Sequence, residues 1–270
     1  FNQVINAKPY LYEPYFFRGL AKINLDDFQG AEADCNAAIQ RNPFVVGAYQ
    51  IRGLARIRQN NYDGAIEDYK TALKYDPENL VLWHNLSLCH MQKEDYGAAK
   101  EDLGKLLKIA PRYTRAYLMR GEVSLKQKDT IQALNDFEKA IEWLVSAGIL
   151  NRIYNVSKME HPLSAFDKLD QFKLFLFDTG LLKHMAGIDN SAILLKADYQ
   201  FKGPLTENYV LQQFRGQFAV EPRYYSDKNG EIDFLLQHGM DIIPVEAKGG
   251  EEKSAPSFKR YIAERHPKYA

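Results

Sequence analysis

The first half of the sequence repeats with a period of 34 residues, marked by prolines at positions 9, 43, 77 and 111. Other residue types recur in the same phase. The columns are Gly19, Gly53, Ser87 and Gly121; Ala31, Ala65, Ala99 and Ala133; and Asp34, Asp68, Asp102 and Asp136. A fixed period of about 20–50 residues is the signature of stacked structural units, each too small to bury a core alone. The period therefore predicts a repeat array over the first half of the chain.

Each unit of the array predicts two helices joined by a short turn. In the second unit, the first helix covers residues 46–59 and the second covers residues 62–75. Small residues at Gly53 and Ala65 allow the two helices to approach closely. Pro77 ends the second helix, because proline lacks a backbone N–H and clashes with the preceding helical turn.

This combination of small residues, an aromatic residue after the turn and a terminal proline resembles the tetratricopeptide repeat. The resemblance covers residues 1–142, as a partial repeat followed by four units. Their bounds are 1–11, 12–45, 46–79, 80–113 and 114–142. The resemblance implies an all-α solenoid of stacked helix pairs with a concave groove, a surface that usually binds peptides or other proteins.

In this family the first helix of each pair lines the groove, which identifies the candidate ligand-binding residues. They are Phe16, Leu20, Gln50, Leu54, His84, Asn85, Leu88, Arg115, Leu118 and Glu122. This surface is apolar with few cations, and part of it is expected to pack between repeats. Some members of the family clamp a carboxylate, but Phe16 and Met119 stand where two of the cations would be needed. We therefore expect an apolar peptide, extended or helical, rather than an acidic tail.

The aspartate column has a partner column on the first helices, at Arg18, Arg52, Leu86 and Arg120. We expect an Arg–Asp ion pair within each repeat, of the exposed kind that contributes little to stability. Leu86 leaves Asp102 without that partner. His84 and His90 do not have the three- or four-residue spacing of a helical metal pair, so we predict that they are solvated or core residues.

After residue 142 the period stops and the sequence predicts a mixture of strands and helices. Apolar runs predict strands at 149–156, 172–177, 223–226, 231–236 and 241–248. Amphipathic patterns predict helices at 205–214 and 256–264. The sequences DKNG and QHGM, between the last three strands, are typical of hairpin turns. The second half is therefore expected to be an α/β (α+β) domain with a small mixed sheet.

The second half resembles the C-terminal domain that follows the ATPase module in a large family of bacterial and archaeal AAA+ ATPases. The resemblance is carried by the sequences EWLVSAGILNRIY, FKLFLFDTGLL, ENYVLQQF and GEIDFLL…IIPVEAKGG. It implies a winged-helix remnant with connecting strands at 143–200, then a truncated restriction-endonuclease-like domain at 201–270. The phosphate-binding sequence G-x-x-x-x-G-K-[ST] is absent from this chain, so we expect no ATP binding.

The candidate chemistry of the second half is a pair of carboxylates with a lysine. Glu246 and Lys248 are two positions apart on a predicted strand and share one face, and Asp233 lies on the preceding strand. Two carboxylates at a strand end can hold Mg²⁺ or Mn²⁺, which acidifies a water for attack on a phosphodiester. Lys248 would position that water or neutralise the developing charge, and Glu207 would be a further ligand or hold the lysine. This D…E-x-K pattern resembles the nuclease motif of the restriction-endonuclease-like fold.

Two functions stay open on the sequence: a protein-interaction scaffold with an inert second domain, and a metal-dependent nuclease that the repeats direct to a target. Because the chain has 35 basic and 35 acidic residues, any nucleic-acid contact is expected to be local, at the second domain. No apolar run approaches the ~18 residues of a membrane span, so no membrane partner is expected. Cys35 and Cys89 are too few for a disulfide framework and fit a reducing compartment. We expect a cytoplasmic chain, interpreted as a fragment or a fusion, natural or artificial, that is open at both ends.

Overall fold

The structure is a computed structural model that describes residues 1–188, 201–218, 220–228, 230–248 and 256–267. The chain divides into two compact units, Phe1–Trp143 and Leu144–Ala270. Residues 189–200, which the sequence assigned to the winged-helix remnant, lie outside the described residues.

The first unit is a stack of helix pairs in which consecutive helices contact each other. Its helices are α1 (Asn2–Ala7), α2 (Glu13–Asn24), α3 (Phe28–Arg41), α4 (Val46–Arg58), α5 (Tyr62–Tyr75), α6 (Leu80–Gln92), α7 (Tyr96–Ile109), α8 (Thr114–Lys126) and α9 (Thr130–Ser146). In the second repeat, α4 and α5 match the two predicted helices to within one residue. α5 ends two residues before Pro77, as expected from the missing N–H of proline.

The turn inside each pair starts the second helix in the same way in every repeat. The side chain of the residue before the helix accepts a hydrogen bond from a backbone N–H of the first turn, at 2.9, 3.0, 3.1 and 3.1 Å. These capping residues are Asp27, Asn61, Asp95 and Asp129. Such a cap satisfies a donor that the start of a helix leaves unpaired. The residue before each cap is left-handed, with φ between 57° and 63°, at Asp26, Asn60, Glu94 and Lys128.

The predicted small residues lie where the two helices of a pair approach each other. A methyl group added to Gly53 would meet the ring of Tyr69 at 2.8 Å, and one added to Gly121 would meet the ring of Phe137 at 2.5 Å. Ala65 is fully buried. An aromatic ring resting on a glycine therefore fixes the distance between the two helices of these pairs.

The described residues of the second unit form a five-stranded mixed sheet with helices. The elements are β1 (Leu150–Val156), β2 (Asp167–Leu176), α10 (Thr179–Met185), α11 (Lys202–Gln217), β3 (Arg223–Asp227), β4 (Gly230–His238), β5 (Asp241–Val245) and α12 (Pro256–Arg265), with a 3₁₀ turn at Leu163–Phe166. The strand order is β2-β1-β3-β4-β5, and the pairs are antiparallel except for the parallel pair of β1 with β3. The small mixed sheet and the two hairpins agree with the prediction.

Some bounds of the second unit differ from the prediction. β5 ends at Val245 rather than near residue 248, because the Asp233 side chain accepts the N–H of Ala247 at 2.8 Å. β2 begins at Asp167, before the predicted start. The sheet includes strands from both sides of the predicted domain boundary at residue 200. β1 pairs with β2, which precedes that boundary, and with β3, which follows it.

Two apolar clusters lie on the two faces of this sheet. Leu211 of α11 packs in one cluster with Phe234 of β4. Tyr261 of α12 packs in the other with Leu235. Because Phe234 and Leu235 are neighbours on one strand, their side chains point to opposite faces. The two helices therefore cover opposite faces, and the face with α11 carries the predicted site.

Two expectations concern the chain as a whole. Cys35 and Cys89 are free and buried, and burial raises the pKa of both thiols to about 12, so neither is a reactive thiolate at neutral pH. Within the part of the chain that the structure describes, no helix is both long and apolar enough to cross a membrane.

Candidate functional site

The aspartate column forms the predicted ion pairs, but the carboxylates are buried rather than exposed. The N–O distances are 2.5, 2.5 and 2.6 Å for Arg18–Asp34, Arg52–Asp68 and Arg120–Asp136. The aspartate side chains are 5%, 2% and 2% exposed. The expectation that these pairs are exposed was therefore wrong. Removal of the partner of a buried carboxylate leaves an uncompensated charge.

The third repeat uses a histidine in place of the arginine. Leu86 occupies the arginine position and is buried. His90, one helical turn later, brings Nδ1 to 2.7 Å from Oδ2 of Asp102, and both side chains are buried. Burial raises the pKa of Asp102 in spite of this hydrogen bond. Asp102 thus lacks the column's arginine, as predicted, but it has a partner in His90.

His90 belongs to a second column of basic residues, which explains why it lies next to Asp102. Lys22, Arg56 and His90 are separated by the same 34 positions. Lys22 approaches Asp34 at 2.9 Å, and Arg56 approaches Asp68 at 3.1 Å. The first two repeats therefore give each aspartate two cations, whereas the third keeps only the histidine. The period in the sequence could have indicated His90 as the partner of Asp102, because the three basic residues fall in one column.

The predicted groove residues lie on the first helices of the pairs, α2, α4, α6 and α8. Because α2 and α4 also contact each other, these first helices share one side of the stack. Leu20, Arg115, Leu118 and Glu122 are exposed; Phe16, Gln50, Leu54, His84, Asn85 and Leu88 are half-buried. Phe16 and Leu88 pack against clusters that join neighbouring repeats, which is the packing role expected for part of this surface.

The groove surface includes apolar residues that the sequence analysis missed. Phe17 and Val81, also on first helices, are both about half exposed. A cavity of about 380 Å³, lined in part by Ile57 and Leu88, opens between α4 and α6. Together with the exposed Leu118, these features give the first helices an apolar surface with a recess.

A small polar group interrupts this surface at His84, Asn85 and Arg115. The ring of His84 packs edge-on against Tyr113. Burial and the nearby charge of Arg115 lower the pKa of His84, so its ring is neutral at pH 7. Met119, where a clamp would need a cation, is buried. One guanidinium, an amide and a neutral imidazole can recognise peptide backbone groups but do not form a multi-cation clamp.

In the second unit, a β-bulge in β4 sets the position of Asp233. Between two paired positions, β4 contains one residue more than β3. The flanking pairs are Arg223 with Leu235 and Tyr225 with Ile232. Bulges are common next to functional sites, where they redirect a side chain. Here the bulge brings Asp233 within electrostatic reach of Glu207, on α11.

Asp233 is a buried carboxyl group surrounded by other charges. It is 9% exposed, and its Oδ2 accepts the Ala247 N–H at 2.8 Å. Burial, together with repulsion from Glu246 and Glu207, raises its pKa to about 6. A carboxyl group with a strongly raised pKa beside other carboxylates is a candidate functional group. Glu246 and Glu207, which the sequence also singled out, thus both act on the charge of Asp233.

Glu246 and Lys248 follow the end of β5 and pair with each other. The hydrogen bond to Glu246 and the charges of the neighbouring carboxylates raise the pKa of Lys248. The second oxygen of Glu246, Oε2, is buried and has no hydrogen-bond partner among the described residues. Ala247, between the two, packs against the apolar cluster, as predicted. The assignment of both residues to a strand was wrong, because β5 ends at Val245.

Lys173 of β2 belongs to the same cluster, although the sequence analysis missed it. Its ammonium group lies 3.0 Å from Oε2 of Glu207 and also pairs with Glu231 of β4. Burial acts to lower the pKa of Lys173, but hydrogen bonds to these two carboxylates outweigh it and raise the pKa. Glu207 therefore holds Lys173 rather than Lys248. The available signal was a lysine inside the apolar run FKLFLF, because a buried lysine needs acidic partners.

The carboxylate oxygens of Asp233 and Glu246 are of the kind that hard divalent cations bind. Among the described residues, no group of three or more His, Cys, Asp or Glu side chains is arranged to hold a metal ion. Asp233 and Glu246 offer two carboxylates, one with an orphaned buried oxygen, while Glu207 is engaged by Lys173. Mg²⁺ is commonly held by one or two carboxylates with waters completing its octahedron, so two protein ligands are sufficient.

Comparison with protein families matches several parts of the chain. Sequence models described as tetratricopeptide repeat match residues 16–79 and 56–123. A domain of unknown function, DUF8612, matches residues 91–192, and another, DUF4143, matches residues 202–269. Each match covers less than half of the chain, and neither domain of unknown function shows the predicted restriction-endonuclease-like fold. Comparison with curated proteins gives no match.

Comparison with solved structures finds proteins similar to the first unit. A crystal structure of MamA aligns with a TM-score of 0.53 at 20% identity, over 54% of this chain and 85% of that chain. A second MamA crystal structure gives 0.52 at 21% identity, over 54% and 79%. MamA from Desulfovibrio magneticus RS-1 gives 0.50 at 20% identity, over 53% and 80%. At this level of identity the similarity shows the fold alone.

The period, the helix pairs and the family matches agree on the first unit. Two overlapping sequence models cover residues 16–123, and the columns that define the period lie at the helix contacts of this segment. The amino-terminal half of this chain is therefore a solenoid of tetratricopeptide repeats.

Proposed function

We propose that this chain is a protein-interaction scaffold whose repeats bind an apolar peptide segment of a partner. The observation that supports the proposal is the exposure of Leu20, Phe17 and Leu118 on the first helices. Apolar side chains that face solvent from a rigid element suit the apolar side chains of a partner. The same surface carries few cations, so the ligand is an extended or helical apolar segment rather than an acidic tail.

A peptide array probed with the full chain tests this groove. Leu118→Glu places a carboxylate where the peptide is buried, and we expect at least about tenfold weaker binding, which corresponds to ~1.4 kcal/mol. Leu134→Glu changes an exposed leucine of α9 and is the matched control, expected to bind like the wild type. Binding is expected to change little with salt, because no exposed ion pair drives it. Selection of acidic C-terminal peptides alone, with binding abolished by salt, contradicts the proposal.

We also propose that Asp233 and Glu246 hold a divalent cation for phosphodiester hydrolysis. The specific observation in favour is the buried Oε2 of Glu246, which lacks a hydrogen-bond partner among the described residues. An unpartnered buried oxygen is costly, and a cation between it and Asp233 would satisfy both carboxylates. The balanced net charge of the chain fits a nucleic-acid contact confined to this unit.

The residues around the site have separate roles in the proposed reaction. A cation held by Asp233 and Glu246 would acidify a bound water and stabilise charge on the phosphate. The Ala247 N–H fixes the orientation of Asp233 through Oδ2. Lys248, paired with one oxygen of Glu246, places an ammonium group at the edge of the site, where it opposes the charge developing on the substrate. Glu207 adds negative charge while it is held by Lys173.

Manganese-binding calorimetry combined with cleavage of plasmid and single-stranded DNA tests this second function. Asp233→Ala and Glu246→Ala are expected to abolish both Mn²⁺ binding and cleavage. Lys248→Ala is expected to retain the ion and lose most of the rate, because its charge acts mainly in the transition state. Asp170→Ala, an exposed carboxylate of β2, is the matched control and should retain both. A folded wild type that binds no Mn²⁺ would leave only the scaffold function.

A further inference from the structure

Arg152, on β1, has a guanidinium edge that no acceptor of the described chain occupies. Its Nη1 donates to the hydroxyl oxygen of Tyr154 at 3.3 Å. Its Nε and Nη2 are buried, and neither has a hydrogen-bond partner among the described residues. A buried donor without an acceptor is rare in folded proteins and requires an explanation. We therefore expect an acceptor at this edge that comes from a ligand.

The same edge is occupied in four other arginines of this chain. In each of them, Nε and Nη2 both donate to the carboxylate of one aspartate. The pairs are Arg18–Asp34, Arg52–Asp68, Arg120–Asp136 and Arg223–Asp167. This forked geometry suits the paired oxygens of a carboxylate or a phosphate. The free edge of Arg152 therefore fits one anionic group that presents two oxygens.

The side chains around Arg152 are aromatic and apolar. Its guanidinium lies 4.7 Å from the ring centre of Phe172 on β2, and Phe172 packs edge-on against Tyr154. Leu174 pairs with Arg152 across the two strands. We call Arg152, Tyr154, Phe172 and Leu174 the stacking surface. Proteins bind single-stranded nucleic acids with this combination, in which bases stack on aromatic rings and an arginine holds a phosphate.

The stacking surface lies on the face of the sheet opposite to the cation site. Ile153, next to Arg152, packs in the cluster that contains Leu211 of α11, so Arg152 points to the other face. Leu174 is 40% exposed, which shows that solvent reaches this face. Because Arg152 as a whole is only half-buried, a rotation of its guanidinium is enough to present the free edge to a ligand.

We infer that the stacking surface binds single-stranded nucleic acid, with a phosphate on Nε and Nη2 of Arg152 and a base against the ring of Tyr154. The inference goes beyond the proposed function, because this contact needs neither a metal ion nor cleavage. The hydroxyl of Tyr154, which accepts from Nη1, holds the guanidinium in place. An acidic peptide offers the same pair of oxygens but no planar group for the ring, so a nucleic acid is the better fit.

The test measures binding of the full chain to a fluorescein-labelled oligothymidylate by fluorescence anisotropy, with EDTA present so that no cleavage occurs. Arg152→Leu is expected to weaken binding by about tenfold or more, because hydrogen bonds to a charged group are lost. Tyr154→Ala should weaken it by about tenfold through loss of stacking. Arg152→Lys keeps the charge but not the fork, and should also bind more weakly. Arg215→Leu, a change of an exposed arginine on α11, is the matched control and should bind like the wild type.

Urea unfolding without nucleic acid gives a second readout. Because Nε and Nη2 of Arg152 are buried without partners, their replacement by an apolar group removes an unpaired polar group from the interior. Arg152→Leu is therefore expected to raise the midpoint of unfolding. A lower midpoint would show that the guanidinium serves the fold, and would overturn the inference.

Competition identifies the source of the anion and separates this inference from the proposed function. Unlabelled oligothymidylate should displace the labelled strand, whereas inorganic phosphate and oligoglutamate at the same concentration should not. Displacement by oligoglutamate would assign the edge to an acidic protein partner, and displacement by phosphate would assign it to the free ion; either result overturns the inference. No binding by the wild type, or equal binding by Arg152→Leu, also overturns it and leaves the cation site standing, because EDTA removes the metal.

Discussion

Removal of the histidine from the His90–Asp102 pair tests how the repeats are held together. His90→Leu leaves the buried carboxylate of Asp102 without its hydrogen-bond partner. Loss of one member of a buried charged pair costs ~3–5 kcal/mol, because the remaining charge is uncompensated. We expect the lower end, a loss of ~3 kcal/mol in the free energy of unfolding at pH 7.5. The reason is that burial already raises the pKa of Asp102, so the carboxyl group can take up a proton in the variant.

Two further variants isolate the charge effect from simple loss of packing. Arg52→Leu is the matched control in the second repeat, because Arg56 still approaches Asp68 at 3.1 Å. The loss in free energy of unfolding caused by Arg52→Leu is expected to be at most about half that of His90→Leu, because the carboxylate keeps a charged partner. The double variant His90→Leu/Asp102→Leu removes both polar groups, and it should recover most of the lost stability because no polar group is left unpaired.

The assay is urea unfolding followed by circular dichroism at pH 7.5 and pH 4.5. Because the pKa of Asp102 is raised in the folded protein, its contribution to stability is present below the ordinary pKa and is lost as pH rises through the folded value. The deficit of His90→Leu is therefore expected to shrink at pH 4.5. A His90→Leu variant within about 0.5 kcal/mol of the wild type at pH 7.5, the range of ordinary surface changes, would refute the reasoning. A double variant no more stable than the single one would also refute it.

Two glycines and one aspartate give the remaining predictions. Gly121→Ala should lower the melting temperature, at a cost of ~1–3 kcal/mol, because the added methyl group meets Phe137 at 2.5 Å. Gly104→Ala adds a methyl group that, apart from its chain neighbours and its own helix backbone, meets nothing within 4 Å. It should raise the free energy of unfolding by ~1 kcal/mol, and equal effects of the two changes contradict the packing. Asp233→Asn should raise the free energy of unfolding by ~3 kcal/mol at pH 7.5. The reason is that the pKa of Asp233 is raised from 3.8 to about 6, so its charged form is disfavoured in the folded protein. Because the pKa of Asp233 is raised in the folded protein, its contribution to stability is present below its ordinary pKa and is lost as pH rises through about 6. The stability gained by Asp233→Asn should therefore vanish near pH 4. Urea unfolding at both pH values checks this, and an equal gain at both contradicts it.

The first unit could be predicted well because its structure depends on local chemistry repeated in phase. Proline ends a helix at its own position, and glycine and alanine allow close helix contacts at theirs. The columns that contain Gly53, Ala65 and Pro77 therefore predicted the bounds and contacts of the helix pairs. The partner of Asp102 was missed for a geometric reason. Residues one turn apart on a helix lie on the same face, so His90 reaches Asp102 as well as an arginine at position 86 could.

The candidate site of the second unit depends on contacts between distant parts of the sequence, which no local pattern specifies. The sequence pointed to Asp233, Glu246, Lys248 and Glu207, but it did not indicate the bulge next to Asp233. A bulge is a difference of one residue between two paired strands, and neither strand alone encodes that register. Lys173 was missed because the partners of a buried charge come from distant elements that only packing brings together.

Paramagnetic broadening of amide resonances by substoichiometric Mn²⁺ in the full chain is the most direct test of the cation site. The Ala247 N–H donates to Asp233 at 2.8 Å, so this amide reports on an ion held there. We predict that the resonances of Ala247, Glu246 and Asp233 broaden at lower Mn²⁺ concentrations than those of the rest of the chain. An Ala247 resonance that stays sharp, or equal broadening along the whole chain, would contradict the assignment of the site.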